Sequence, residues 1–537
     1  MPDFLIRTED LKLEDILGLY VQSSRDKRIV DALKAPTPII IEGSRGTGKS
    51  FLLRVGEAQL LQSFGADRVL PVYISFVKSS LIHTSDPQQF QHWMLARLCE
   101  RIFRALYTHG LLTKADPGLS ILAGGSVPPS PEQSRIEAIA KAYEESYKNP
   151  GVAVDSGQVP DVERFKDAIE DVCKALSLKR LVLMFDEAAH IFRPEQQRQF
   201  FTLFRDLRSP YISCNAAVYP GVTMYGTTFQ PAHDATIVEL NRDVLEPDYR
   251  ESMREIVARQ ADADLMSDIT RNGENFDALA CAVAGNPRLL LKTVALAPKL
   301  NSTQVTNVLK EFYRTGIWAE HSELAERYAG HRNLVDWGRI FVENSVIPDT
   351  TAKNELWSQQ GKNESTCCFW IHRDAPEAVK ESLRLMAYTG IVIKGDSGIA
   401  ATRGELGTRY SLNLGCLVAP DKNPIRTLTR VAGSLTIRRF TEYGANVPSF
   451  KALADSIGKF EEPDMSSILQ AQLNKPVTVL DITDFQKNAL REVNIDTIGK
   501  ALRAPEEHYQ GAWQIGPKRS RRMKNAVVAS VLEYLSG

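Results

Sequence analysis

The sequence predicts an α/β fold: a mostly parallel sheet with a glycine-rich loop, then a helical region, a small helix-plus-hairpin unit and a helical tail. Two observations lead there. Apolar runs of strand length alternate with stretches of helical periodicity through about the first 245 residues. Near-continuous apolar runs suit parallel strands buried on both faces, and strands alternating with helices imply crossover connections. The first run also leads through a glycine-rich turn straight into a helix.

The elements follow in order. Thr37 to Glu42 (TPIIIE) is the first strand, and the helix after the turn begins near Phe51. Val69 to Val77 (VLPVYISFV) is a second strand. From Gln88 to Leu106, Phe90, Trp93, Met94, Arg97, Leu98 and Phe103 recur at helical spacing. The stretch from about 113 to 160 is rich in Gly, Pro and Ser and reads as an insertion with one helix, about Glu132 to Tyr147, between two loops. A helix from Val162 to Leu178 leads into the strand Leu181–Phe185. Further strands are expected near Tyr211–Val218 and Thr236–Leu240. Beyond Glu246 the pattern is helical to about Tyr328. The segment around Leu383–Tyr388, the turn Thr389-Gly390 and two strands at Ile391–Ile393 and Arg409–Leu414 then form a helix followed by a hairpin. The last sixty or so residues return to helices around the turn at Gln514–Lys518.

Composition narrows the function classes. The 537 residues hold 65 Lys+Arg against 66 Asp+Glu, a formal net charge of −1, so any affinity for nucleic acid must come from a local patch. With 43% hydrophobic and 24% charged residues the chain is neither disordered nor fibrous. No stretch approaches the roughly 18 apolar residues of a membrane span, and MPDFLIRTED is unlike a secretory signal. No membrane partner is expected. The seven cysteines form no CxxC, and Cys367-Cys368 lacks ligand-spaced partners, so core thiols in a reducing cytoplasm are the expectation.

Three motifs carry chemistry. Gly43-Ser44-Arg45-Gly46-Thr47-Gly48-Lys49-Ser50 fits GxxxxGK[ST] between strand and helix. Such a loop wraps backbone N–H groups around a phosphate, at the positive end of the helix dipole. Lys49 would reach the β- and γ-phosphates of ATP, and the Ser50 hydroxyl would ligate Mg²⁺. The second motif is the buried strand ending in Asp186-Glu187: Asp186 would hold Mg²⁺ and Glu187 would polarise an attacking water. The third is Gly285-Asn286-Pro287-Arg288, where proline suits a helical first turn and Arg288 would emerge to meet the γ-phosphate. A solvated helix-start arginine is its alternative.

GSRGTGKS, LVLMFDE and GNPR, in this order, resemble the AAA+ ATPases, above all the origin-recognition or initiator branch and related signal-transducing P-loop ATPases. The resemblance covers roughly residues 1–330. It implies a parallel-sheet P-loop core with a helical lid, often followed by a winged helix, with ATP and Mg²⁺ as cofactors and oligomers of identical chains as one arrangement. Its polar sensor should fall near the end of the Tyr211–Val218 strand, where Tyr219 and Thr223 are both candidates. No arginine finger is evident between that strand and Thr236. Arg205 and Arg208 are alternatives that read better as solvated helix residues.

On this basis the expected division is 1–245 for the ATPase core, with the insertion at about 113–160, and 246–330 for the lid. Residues 331–425 form a winged-helix-like domain, 426–480 a mixed connection and 481–537 a helix-hairpin-helix-like domain. That last part pairs NIDTIGKAL with IGPKRSRRMKNAV, around the densest basic cluster in the chain. Its expected DNA contacts, mostly to phosphate, are Gly516, Lys518, Arg519, Arg521, Arg522 and Lys524. Pro517, following Gly516, departs from the doubled glycine of such hairpins and removes one N–H donor. The combined expectation is a cytoplasmic ATP-binding and ATP-hydrolysing switch that binds DNA through C-terminal modules. The alternative is a signalling or defence ATPase whose C-terminal half docks a protein partner.

Overall fold

A computed structural model describes residues 4–78, 88–112, 117–148, 151–187, 194–221, 223–226, 228–327, 329–456 and 467–532. The chain forms two compact units. One holds residues 5–219 and 223–241; the other holds 242–537 together with 1–4 and 220–222.

The first unit is built on a five-stranded parallel sheet. In chain order its described elements include α1 (Ser24–Lys34), β1 (Ile39–Glu42), α2 (Lys49–Asp67), β2 (Val69–Ser75) and α3 (Gln89–Thr108). Then follow α4 (Pro117–Ala123), α5 (Arg135–Glu144), α6 (Val162–Ala175), β3 (Arg180–Asp186), α7 (Pro194–Asp206), β4 (Ile212–Val218) and β5 (Thr236–Glu239). The strand order is β2-β3-β4-β1-β5, with every pairing parallel. All five expected strands form. Both faces are covered: Leu33, Leu52, Leu53 and Val55 of α1 and α2 pack on one, Trp93, Leu98, Phe165 and Phe200 on the other. Burial on both faces is the reason the strands read as apolar runs.

The insertion differs from its expectation. It contributes two helices, α4 and α5, and both enter the core: Leu119, Leu122, Ile136 and Tyr143 are fully buried beside α3. Residues 113–116 and 149–150 of the segment lie outside the described residues. A charged network fastens α5 to α3. Arg104 donates to Glu100 (2.9 Å), Glu132 (2.8 Å) and Glu137 (2.8 Å), while Arg97 donates to the buried Glu100 at 3.0 Å. The segment is rich in glycine, proline and serine, but its apolar residues fall on the inner faces of two short helices. The segment is part of the domain's core rather than a loop-borne appendage.

The second unit opens with helices, among them α8 (Pro287–Leu296). A four-stranded sheet follows, formed by β6 (Cys368–His372), β7 (Val392–Ala400), β8 (Leu406–Leu412) and β9 (Thr441–Tyr443). Its order is β7-β8-β6-β9, antiparallel except for β6–β9. Helix α9 (Glu377–Thr389) ends on Gly390 in the left-handed region (φ 79°) and turns into the β7–β8 hairpin. The tail contains α10 (Asp484–Glu492), α11 (Ile498–Arg503), α12 (Glu506–Tyr509) and α13 (Pro517–Leu532). Thr483 and Gln486 form a reciprocal capping box that starts α10. Helix α12 lies in sequence between the two segments expected to form one hairpin, so α11 and α13 are not consecutive. All seven cysteines are buried and free. Among the described residues no helix is long and apolar enough to cross a membrane.

Two buried histidines give the second unit an acid liability. His321 and His331 lie inside it, and burial pushes both imidazoles down to about 4. The unfolded chain protonates them near pH 6.5, so below that pH it takes up protons the folded unit refuses. Their contribution to stability is full above about pH 6.5 and is lost as pH falls towards 4. Each should cost about 1–2 kcal/mol between pH 7 and pH 5. Urea denaturation should therefore show a lower midpoint at pH 5, and a His321→Asn/His331→Asn protein should show a flatter profile over that window.

Candidate functional site

Strand β1 is three isoleucines and a glutamate, buried until it reaches the sheet edge. The chain there must turn from strand to helix within six residues. Gly48 makes this possible: at φ 98° it occupies the left-handed region and caps α2, whose first two residues are Lys49 and Ser50. The loop holds its own shape through Thr47 Oγ1, which donates to the Ser44 carbonyl at 2.9 Å. Loop and helix start together present Gly43, Ser44, Arg45, Gly46, Thr47 and Gly48 around one point at the positive end of a 19-residue helix. That point sits outside the carboxyl end of β1. The chain runs from β1 to β2 across β4 and β3, with β5 on the opposite side, a place where open α/β sheets bind ligands.

Lys49 is 5% exposed, with its ammonium donating to the carbonyls of Gly43 (2.7 Å) and Ser44 (3.0 Å). It also lies 3.9 Å from the centre of the Tyr219 ring. Of the two sensor candidates, Tyr219 is therefore the one at the loop. Thr223 donates instead to the Tyr219 carbonyl (2.7 Å) and closes a turn.

The end of β3 meets the start of α2. Ser50 Oγ donates to Asp186 Oδ1 at 3.0 Å, and the Glu187 N–H donates to the same oxygen at 3.0 Å. The other carboxylate oxygen accepts from the Tyr73 hydroxyl. Burial pushes the Asp186 carboxyl above its ordinary value, while Tyr73, Ser50 and the Lys49 charge oppose the shift. Glu187 takes the left-handed conformation (φ 56°), uncommon for a side chain of its kind and a mark of local strain. Its carboxyl is pushed up to about 7, first by burial and then by the charges of Asp186 and Glu9, against Arg45 and a hydrogen bond from Ser75.

Tyr73 is the site residue that motif reading misses. It stands opposite Met184 in the β2–β3 register, two residues before the Ser75–Asp186 pair, so it shares the Asp186 face. Strand alternation in VLPVYIS, set against LVLMFD, holds that signal. Arg54, one turn after Ser50, lies 4.6 Å from the centre of the Tyr73 ring and donates to Glu57 at 2.5 Å. A hydroxyl and a carboxylate in contact suit Mg²⁺, which takes hard oxygen ligands and leaves the rest of its shell to water and phosphate. Among the described residues no group of three or more His, Cys, Asp or Glu could enclose a metal.

Arg288 belongs to the second unit. Asn286 caps α8 by accepting from the Leu289 N–H at 3.2 Å, and Pro287 is the first helical residue. Gly285 is required there: its φ is 80°, and a Cβ would lie 2.2 Å from the Arg242 carbonyl oxygen. The Tyr249 hydroxyl accepts from the Gly285 N–H (2.8 Å) and donates to the Ala280 carbonyl (2.7 Å), fixing the turn. Arg205 is tied by Asp206 (2.8 Å) and the Thr228 carbonyl (2.7 Å), and is less free than a solvated helix arginine.

The basic cluster of the tail is divided by the structure. Lys524, expected to contact DNA, points inward. Its ammonium caps α11 at the carbonyls of Leu502 (2.5 Å), Ala504 (2.6 Å) and Ala501 (3.3 Å), and burial lowers it to about 8. Arg521 donates to Asn446 (2.6 Å), and Arg519 donates to the Gln514 carbonyl (2.8 Å). Lys518 and Arg522 are exposed. Gly516 caps α13 with its carbonyl, which accepts from Arg519 and Ser520 at 3.0 Å, and the left-handed residue of that turn is Gln514 (φ 59°).

Residues 4–104 match the family model described as ORC-CDC6-like. This covers the phosphate loop, and the core resembles an initiator-type AAA+ P-loop ATPase. The chain is also similar to a Walker-type ATPase of Pyrococcus abyssi (13% identity, TM-score 0.39, 79% of this chain and 98% of that one). A second similar structure is the ORC1 protein of Aeropyrum pernix in complex with DNA (14%, 0.31, 78% and 94%). A third is the ORC2 protein of the same organism in ADPNP-ADP complexes (11%, 0.33, 80% and 95%). Likeness this slight does not extend to what those proteins bind. No curated protein matches the sequence.

The Tyr73–Asp186 contact has a measurable consequence. A Tyr73→Phe protein keeps the ring but leaves a buried carboxylate oxygen without its hydroxyl donor, which should cost about 1–3 kcal/mol. Chemical denaturation should show that loss, whereas Tyr107→Phe, an exposed control, should unfold like the wild type.

Proposed function

We propose that the chain is an ATP-binding and ATP-hydrolysing switch that uses Mg²⁺ and carries DNA-binding modules in its C-terminal half. One observation carries the catalytic part: the 3.0 Å contact between Ser50 and Asp186 joins the phosphate loop to the acidic end of β3. The loop N–H groups and Lys49 bind the β- and γ-phosphates; Ser50 and Asp186 hold the metal. Mg²⁺ held there would supply neutralisation of phosphate charge. Glu187, beside Asp186 with a carboxyl pushed up to about 7, is a competent acceptor for a proton of the attacking water. Arg288 is assigned to sensing the γ-phosphate, on the likeness of GNPR to the lid motif of such ATPases.

In the same reading 1–245 is the catalytic core, 246–330 the lid, 331–425 a winged-helix-like domain and 426–480 a connection. The helix α9 followed by the β7–β8 hairpin supports the third of these. Residues 481–537 are a helical module whose exposed cations, Lys518 and Arg522, favour DNA over a protein partner.

Lys49→Ala should lower the ATPase rate at least about 100-fold. Glu187→Gln should lower kcat about 100-fold or more while nucleotide affinity stays within about 3-fold. A Lys49→Ala protein hydrolysing ATP at the wild-type rate rejects the assignment. Anisotropy with labelled duplex DNA across a salt series tests the second half. An affinity that falls steeply with salt is expected, and a protein that ignores DNA at low salt returns the C-terminal half to protein docking.

A further inference from the structure

The second unit contains a basic cleft of about 770 Å³, of which the basic cluster of the tail supplies only one side. Three stretches of sequence far apart in the chain build it. Arg373 follows β6, Arg403 stands in the β7–β8 turn, and Lys518, Arg521 and Arg522 come from the first turns of α13. Lys380 of α9 completes the set. Six cationic side chains thus face two carboxylates, Asp374 and Glu405, within a chain whose formal charge is −1.

Two of the six are already engaged: Lys380 pairs with Glu377 at 3.1 Å, and Arg521 donates to Asn446 at 2.6 Å. The side chains of Arg373, Arg403, Lys518 and Arg522 form no hydrogen bond or ion pair with any described residue, and all four are exposed. Four unneutralised cations converging on one cleft are costly through mutual repulsion unless an anion enters. Lys518 and Arg522 are four residues apart on one helix face and present their charges as a pair.

The lining also limits what the anion can be. It contains no Phe, Tyr or Trp, and its one aromatic ring is that of His372, so cations rather than aromatic platforms dominate the lining. Its charges are spread along an exposed cleft, which suits consecutive phosphates of a strand better than one enclosed small molecule, for which mostly apolar walls are usual. We infer that Arg373, Arg403, Lys518 and Arg522 form a composite clamp for the phosphodiester backbone of DNA, with the β7–β8 turn on one side and α13 on the other. This rests on the DNA-binding reading above and goes beyond it. The tail does not bind alone, and of its expected contacts only Lys518 and Arg522 belong to the clamp's free charges.

The test uses the full chain and a fluorescein-labelled duplex of about 30 base pairs, with affinity measured from about 50 to 300 mM NaCl. Replacing Arg373, Arg403, Lys518 and Arg522 together by Gln should weaken binding at least about 30-fold at 100 mM salt. The slope of log affinity against log salt should fall by about 3.6, at roughly 0.9 for each of the four phosphate contacts. Arg519→Gln removes the same charge from the same helix as Arg522→Gln, but Arg519 is held by the Gln514 carbonyl outside the cleft. It should change affinity less than about 2-fold, and Arg522→Gln should change it more. A thermal midpoint equal to wild type establishes that the quadruple variant is folded. If the wild type binds DNA and the quadruple variant matches it in affinity and slope, the clamp is wrong while the DNA-binding reading stands. If the wild type binds no duplex at 50 mM NaCl, both fall. Binding of inorganic tripolyphosphate without duplex binding also overturns the clamp, leaving a small-anion site.

Discussion

The candidate catalytic centre depends on the hydrogen bonds that hold one buried carboxylate. Asp186 ends β3 and is reached by the Ser50 hydroxyl from the loop helix, the Tyr73 hydroxyl from β2 and the N–H of Glu187. A carboxylate taken out of water without such donors would cost several kcal/mol or titrate away. With them, Asp186 fixes the start of α2 to the end of β3 across the intervening β4. The strand order makes this possible, since parallel strands deliver their carboxyl ends to one edge. The phosphate loop and the acidic pair therefore face each other by topology, and the hydrogen bonds only set the final ångström.

What the sequence discloses follows from the length scale of each constraint. A phosphate loop must be contiguous, because one turn of backbone surrounds one phosphate, so Gly43 to Ser50 is legible as a string. Asp186 and Glu187 are legible because they end an apolar strand downstream of a phosphate loop; without that loop, two acids at a strand end would mark only an acidic turn. Tyr73 is not legible as a motif. Its role arises from register with a strand more than a hundred residues later, and a tyrosine in an apolar run is otherwise ordinary core. The conformation of Glu187 is equally hidden, since φ 56° at a glutamate answers to the turn beyond β3 and not to local propensity.

The insertion shows how composition misleads. Glycine and proline in LTKADPGLSILAGGSVPPSPEQ argue for loop, yet Pro117 and Gly118 open α4, while Gly124 and Gly125 follow its end. Leu119 and Leu122 are three apart, as are neighbouring positions on one helix face, and α4 needs only that face to enter the core. A seven-residue helix is too short for periodicity to announce itself, and it persists because tertiary packing stabilises it. Arg104, reaching Glu100, Glu132 and Glu137 at once, links the segment electrostatically to α3, a network whose members are spread over 38 residues.

Charge density along a chain and charge density in space are different quantities, and the tail separates them. Between Lys518 and Lys524 the sequence packs five cations into seven positions. A helix distributes them about 100° apart per residue, so one linear cluster must serve several faces. Lys524 turns inward to donate to the helix-end carbonyls of Leu502 and Ala504, and to that of Ala501, which also accepts from the Tyr509 hydroxyl. Arg519 turns to the Gln514 carbonyl, and its guanidinium lies 5.9 Å from the Phe485 ring centre. Only the face bearing Lys518 and Arg522, together with the tethered Arg521, meets the cleft, and there it is joined by Arg373 and Arg403 from more than a hundred residues earlier. The field that an approaching polyanion meets is assembled by the fold, from part of a conspicuous linear cluster and from two arginines, Arg373 and Arg403, that look unremarkable where they stand in the chain.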